Sequence, residues 1–221
     1  MPTAFQQELI TLAYRLADLC ALAASAVGQA TRALLEADQL AAGQVLEQAA
    51  AMTALGSACE EQASALLALH APDPVGLRVV VVAIHTGADI TRMGDLCREI
   101  ANQVRDNSGV LVPVEMHPVF TRLGRHAVVT AHELQTILPE PDIAHYAELD
   151  AAAGEIEAAV REVRAWAGGR EWTLGTRTGI DVVVLAGLFG RFGTLAMTAG
   201  RRIDHLLSGL ETYPAVQLGP R

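Results

Sequence analysis

Asp89, Thr91, Arg92 and Asp95 are the residues whose spacing most invites chemistry. Residues four apart share a helix face, so Thr91 and Asp95 present a hydroxyl and a carboxylate side by side. Oxygen ligands in that arrangement suit a hard cation such as magnesium, manganese or iron. A single carboxylate is a weak chelate, however, and a multinuclear cluster needs several carboxylates from facing helices. The same segment has a plainer reading. Asp89, Arg92 and Asp95 stand at i, i+3 and i+6, which lets Arg92 bridge both acids in an ion-pair ladder on a solvated face.

Other reactive side chains are scattered. The seven His (His70, His85, His117, His126, His132, His145 and His205) form no HExxH and no other tight pair. Each reads as a surface or hydrogen-bonded core residue. Cys20, Cys59 and Cys97 lie about forty residues apart without a CxxC, and read as free thiols buried in helices of a protein from a reducing compartment. No P-loop, no GxGxxG and no defensible Ser-His-Asp spacing occurs, so no enzymatic activity is expected. The last third of the chain holds a small basic excess, Arg161, Arg164, Arg170, Arg177, Arg191, Arg201 and Arg202. It is either a solvated face or a docking surface for an acidic partner or membrane phosphates.

The chain around these residues has 221 positions, 51% of them hydrophobic, 19% charged and 4% aromatic. That is a globular composition, and its apolar content is mostly Ala and Leu, the strongest helix formers. The net charge is −9 and every basic residue is Arg. A protein that neutralises nucleic-acid phosphates is usually basic, so nucleic-acid binding is not expected. The N-terminus shows no signal peptide. The most apolar stretch, Ile180 to Ala199, contains Asp181, Arg191 and several Gly, and reads as a buried helix before it reads as a bilayer span. Membrane-surface contact through this helix is a lesser alternative.

Periodicity places the candidate residues on long helices. Residues 4 to 36 carry Leu9, Leu12, Leu16, Leu19 and Ala23 at helical spacing, and residues 39 to 70 repeat the pattern with Val45, Ala49, Met52, Cys59 and Leu66. Between them only Asp38 signals a break, as an N-cap. Asp73-Pro74 opens a third helix with an N-cap and a Pro at the first helical position. Val79 to Val82 favours a strand by propensity, but it runs unpunctuated into a helical pattern ending near Val104 and has no strand to pair with. Asp106-Asn107-Ser108-Gly109, followed by Pro113, reads as the linker between halves. A fourth helix opens near Pro118 and stops at Pro139–Asp142. A fifth carries Leu149, Ala153, Ile156, Val160 and Val163 and stops at Gly168-Gly169. A sixth spans about Thr176 to Leu207. The prediction is an all-α protein with two tandem antiparallel three-helix bundles, residues 1–108 and 109–221, each helix roughly 45 Å long.

The halves repeat. Arg92-Met93-Gly94-Asp95-Leu96 in the third helix matches Arg191-Phe192-Gly193-Thr194-Leu195 in the sixth, each after a Val-rich run. A mid-helix Gly costs about 1 kcal/mol relative to Ala, so Gly94 and Gly193 call for close approach of a neighbouring helix, with a hinge or docking role as the alternative. The shared Arg and Gly point to packing and docking. Arg92, Arg191, Phe192, Arg201 and Arg202 are therefore the candidate partner-binding residues.

In order along the chain, several segments resemble the PhoU family. They are Ala33–Asp38 with Val45-Leu46, Leu66–Pro74, Ala88–Asp95, Arg170-Glu171-Trp172, Gly187-Leu188-Phe189, Arg191-Phe192 and Gly200-Arg201-Arg202, the later ones resembling its actinobacterial branch. The resemblance covers nearly the whole chain. It implies a cytoplasmic accessory protein of the phosphate ABC transporter that restrains phosphate-starvation signalling and high-affinity phosphate uptake. It implies contacts with the transporter's ATPase subunit and a sensor histidine kinase, and a homodimer. Family members often carry Glu/Asp-x-x-x-Asp in the third helix of each half. Here the first motif is Thr91-x-x-x-Asp95 and the second is Gly190-x-x-x-Thr194. The hairpin segment Gln48–Thr53 that should face the first holds no acid, and Asp150 and Glu155 on the fifth helix have no acidic partner on the sixth. Asp95, Asp89 and Thr91 are thus the degenerate remainder of a metal site. No cofactor is expected, and no iron, zinc or manganese cluster. A metal-binding carboxylate protein and a membrane-surface protein are the alternatives.

Overall fold

The computed structural model describes residues 3–107 and 111–211, with side chains to Ser208. Among them are six α-helices, one short 3₁₀ turn and no strand. The helices are α1 (Ala4–Glu36), α2 (Gln39–His70), α3 (Pro74–Asp106), α4 (His117–Ile137), α5 (Ile143–Ala167) and α6 (Thr176–Glu211). Ser108 and Gly109 of the expected linker lie outside the described residues.

The helix starts follow from capping chemistry. Asp38 accepts hydrogen bonds from the N–H groups of Leu40 and Ala41, Asp73 from Gly76, and Asp142 from Ala144. Each satisfies amides that have no partner within their own helix. Thr3 and Gln6 close a reciprocal capping box on α1. The weak break at Asp38 is real, because Ala37 turns into the left-handed region at φ 53°.

Neighbouring helices are antiparallel, as the cross-helix contacts show. Arg15 reaches Gln62 while Gln48 reaches Ser25 across α1 and α2. Arg122 pairs with Glu162 and Glu133 with His145 across α4 and α5. The lengths differ from expectation: α4 has 21 residues and α5 has 25, against 32 to 36 for the others. Residues 111–116 are spent on an entry segment with the 3₁₀ turn Val114–Met116, and the Pro139/Pro141 turn ends α4 early.

The two sets of three share one core. α1 packs on α4 and α3 on α6, and a continuous apolar cluster runs from Leu19 in α1 to Ile203 in α6. Phe120 and Phe189 meet edge to face within it, 6.2 Å apart. α1, α3 and α6 are long and apolar enough to cross a membrane by length and composition, and 50%, 33% and 50% of their apolar windows are buried in the fold.

The repeated glycines have the packing role that the sequence calls for. A Cβ at Gly94 would come within 2.9 Å of the Met52 thioether on α2, and one at Gly193 within 3.0 Å of Ile156 Cδ1 on α5. Each half thus lets its middle helix close on the same point of its last helix.

Candidate functional site

The central polar feature is Asp89. It lies on α3 between the buried Gly87 and Ile90, and is itself buried, 5% exposed. Taking a carboxylate out of water is costly unless charged donors replace the water. Two do. Arg202 of α6 donates from Nη1 to Oδ2 at 2.7 Å, across a sequence separation of 113. Arg92, one turn along α3, donates from Nη1 to Oδ1 at 3.3 Å. The carboxylate is thereby a pin between α3 and α6, one helix from each half.

This corrects the ladder expected on a solvated face. Arg92 touches Asp89 alone, and Asp95 pairs with Arg98 at 2.9 Å instead. The reason is burial. Asp89 turns into the α3–α6 seam while Asp95 stays half exposed, so one guanidinium does not span both.

The same geometry leaves the degenerate metal residues ill suited to a cation. Asp89 is held by two guanidinium groups and Asp95 by a third. The Thr91 hydroxyl donates to the Gly87 carbonyl at 2.9 Å. Among the described residues no group of three or more His, Cys, Asp or Glu is placed to hold a metal ion. In the second half, Asp150 does have a partner on α6, but it is Arg201, at 3.6 Å. A basic residue therefore stands where a chelate needs an acid.

The candidate partner-binding residues divide. Arg92, Arg191 and Arg201 are exposed, and Arg191 makes no ion pair among the described residues. Arg202 is committed to Asp89 with 29% of its side chain exposed. Phe192 is 1% exposed and belongs to the core, so its assignment to a docking surface is wrong. On a helix with 3.6 residues per turn, its neighbour Arg191 points about 100° away.

Burial pushes the thiols of Cys20 and Cys97 well above their ordinary range, which keeps them as unreactive thiols. Burial and the adjacent Arg125 hold His126 below the usual imidazole value. His145 meets Glu133 at 2.7 Å, and His70 lies 3.6 Å from Glu8.

The residue that sequence reasoning misread is the Asp89–Arg202 pair. The available signal was an acid placed on the apolar stripe Val80, Thr86, Ile90, Met93 and Cys97. Nothing local names its partner.

A family model described as the PhoU domain matches residues 16–104. The phosphate-specific transport system accessory protein PhoU homolog 2 of Mycobacterium tuberculosis is 33% identical over 210 residues, covering 95% of this chain and 99% of its own. PhoU homolog 1 of Mycobacterium leprae is 33% identical over 213 residues, 95% of each. The phosphate transport system regulatory protein PhoU from Streptococcus pneumoniae superposes with a TM-score of 0.80 at 21% identity, over 98% of this chain and 100% of its own. PhoU from Pseudomonas aeruginosa does so at 0.81 and 19%, over 93% and 99%. These two structures share the six-helix fold.

Proposed function

The chain belongs to the PhoU family, and from that premise we propose that it regulates phosphate homeostasis from the cytoplasm. It restrains phosphate-starvation signalling and high-affinity uptake by contacting the ATPase subunit of the phosphate ABC transporter and a sensor histidine kinase. It works as a homodimer and as an interaction protein, without chemistry of its own. The observation that carries this reading is the 33% identity, across 95% of the chain, to proteins named as accessories of a phosphate-specific transport system. The exposed guanidinium groups of Arg92, Arg191 and Arg201 supply contact points of the kind Arg favours at protein interfaces.

Deleting the gene should raise a phosphate-starvation reporter several-fold in phosphate-replete medium. Unchanged output in a strain without a second copy of the family contradicts the role.

The role requires no bound metal. The acids that a cluster would use are paired with Arg92, Arg98, Arg201 and Arg202, and a cation at any of them would meet like charge. Elemental analysis of the purified protein should therefore give substoichiometric iron, zinc and manganese. One or more equivalents per chain overturns this part of the reading.

A further inference from the structure

The α3–α6 seam gathers basic side chains and exposed apolar ones in a protein of net charge −9. Beside the Asp89–Arg202 pin, a groove of about 330 Å³ opens between the first turns of α3 and the last turns of α6. Leu77 and Val81 stand at its mouth, 46% and 40% exposed. Arg78, Arg202 and His205 surround them.

Val82 and Leu206 form the floor of this groove and also the roof of a narrower slot of about 90 Å³. The slot runs inward between α1, α3 and α6, walled by Leu9, Leu12, Leu16 and Ile203. Thr86 also lines it, with a hydroxyl that is fully buried and has no hydrogen-bond partner.

The charge continues along the seam. Arg78, Val81, His85 and Arg92 follow helical spacing on α3, and Arg191, Thr198, Arg202 and His205 on α6. No acid occupies these positions. The one carboxylate between the stripes, Asp89, is neutralised by Arg92 and Arg202.

We propose that this seam binds an anionic phospholipid of a bilayer surface. The lipid phosphate sits against Arg78, Arg202 and His205, and an acyl chain follows the groove past Leu77 and Val81 into the slot beneath Val82. The groove and slot favour lipid over an acidic peptide. Beyond the cations at the mouth their walls are almost entirely apolar, which suits an alkyl chain and leaves peptide N–H and C=O groups without partners. A cationic rim beside exposed aliphatic side chains is also the pairing that holds peripheral proteins on anionic membranes.

The test is flotation of the full chain with phosphatidylglycerol-rich vesicles at low salt. The protein should float with them, float less as salt rises, and stay soluble with pure phosphatidylcholine vesicles. An Arg near an anionic surface is worth about fivefold in partitioning, so Arg78→Glu/Arg191→Glu should bind at least roughly 25-fold more weakly. Both side chains are exposed, and circular dichroism checks that the variant keeps its helices. Short-chain phosphatidylglycerol below its micelle concentration should shift the amide resonances of Thr86 and Leu206, while glycerol phosphate should not. Three results overturn the proposal: no flotation at low salt, equal binding to phosphatidylcholine, or a double variant that binds like the parent. None of them bears on the deletion phenotype, so a failed lipid site and a failed regulatory role are told apart.

Discussion

Replacing Phe192 by Ala should lower the free energy of unfolding by about 3–5 kcal/mol, the cost of emptying a large aromatic site in a core. Phe192 is 1% exposed and lies in the shared apolar cluster of the two halves with Phe189 and Phe120. Close-packed interiors relax only partly around such a void. Its place in the repeat adds to the effect, because the next residue, Gly193, lets α5 close on α6 at this level. Urea unfolding followed by circular dichroism measures the change. A loss below about 1 kcal/mol, within the range of a surface substitution, would return Phe192 to the docking surface where the sequence placed it.

The second large effect belongs to Arg202. Arg202→Ala should cost about 2–3 kcal/mol, less than the 3–5 kcal/mol of a fully buried pair, because part of the guanidinium already meets solvent. The loss arises mainly from what stays behind. Asp89, 5% exposed in the parent chain, keeps only Arg92 as a partner. Adding Asp89→Asn should recover part of the loss, since it removes the uncompensated charge, and the double-mutant cycle should show positive coupling. Arg201→Ala is the control. Its partner Asp150 is 69% exposed and 3.6 Å away, so the change should stay within about 0.5 kcal/mol. Equal effects at Arg201 and Arg202 would mean that Asp89 is not a pin between the halves.

These two residues show where the sequence could be read and where it could not. Helix placement was legible because it rests on local signals. Asp38 and Asp73-Pro74 mark starts through hydrogen bonds that span two or three residues, and the apolar spacing fills in the rest. The duplicated Gly was legible for a similar reason, because a costly residue repeated at one offset needs a close neighbour. Met52 and Ile156 are those neighbours.

Side-chain direction was harder. Arg191 and Phe192 are adjacent in sequence and look like one motif, yet one faces solvent and the other the core. The burial of Asp89 depends on Arg202, a contact made only after α6 packs on α3. Local spacing offered Arg92 two acids on its own helix, and the packed seam kept it on Asp89 and added Arg202. The breaks at Pro118, Pro139–Asp142 and Gly168-Gly169 bounded α4 and α5 in the sequence, and the expectation of six helices of equal length overrode them, although those breaks leave room for only 21 and 25 residues.

The regulatory role is tested most directly by reporter output from a phosphate-starvation promoter in a deletion strain grown in phosphate-replete medium. Plasmid-borne parent protein should return the output to its repressed level, and Arg191→Glu, which reverses an exposed charge of the seam that makes no ion pair among the described residues, should leave it raised. Repression that is intact without the gene would contradict the role itself, and full repression by the charge-reversed protein would contradict the assignment of that role to this face.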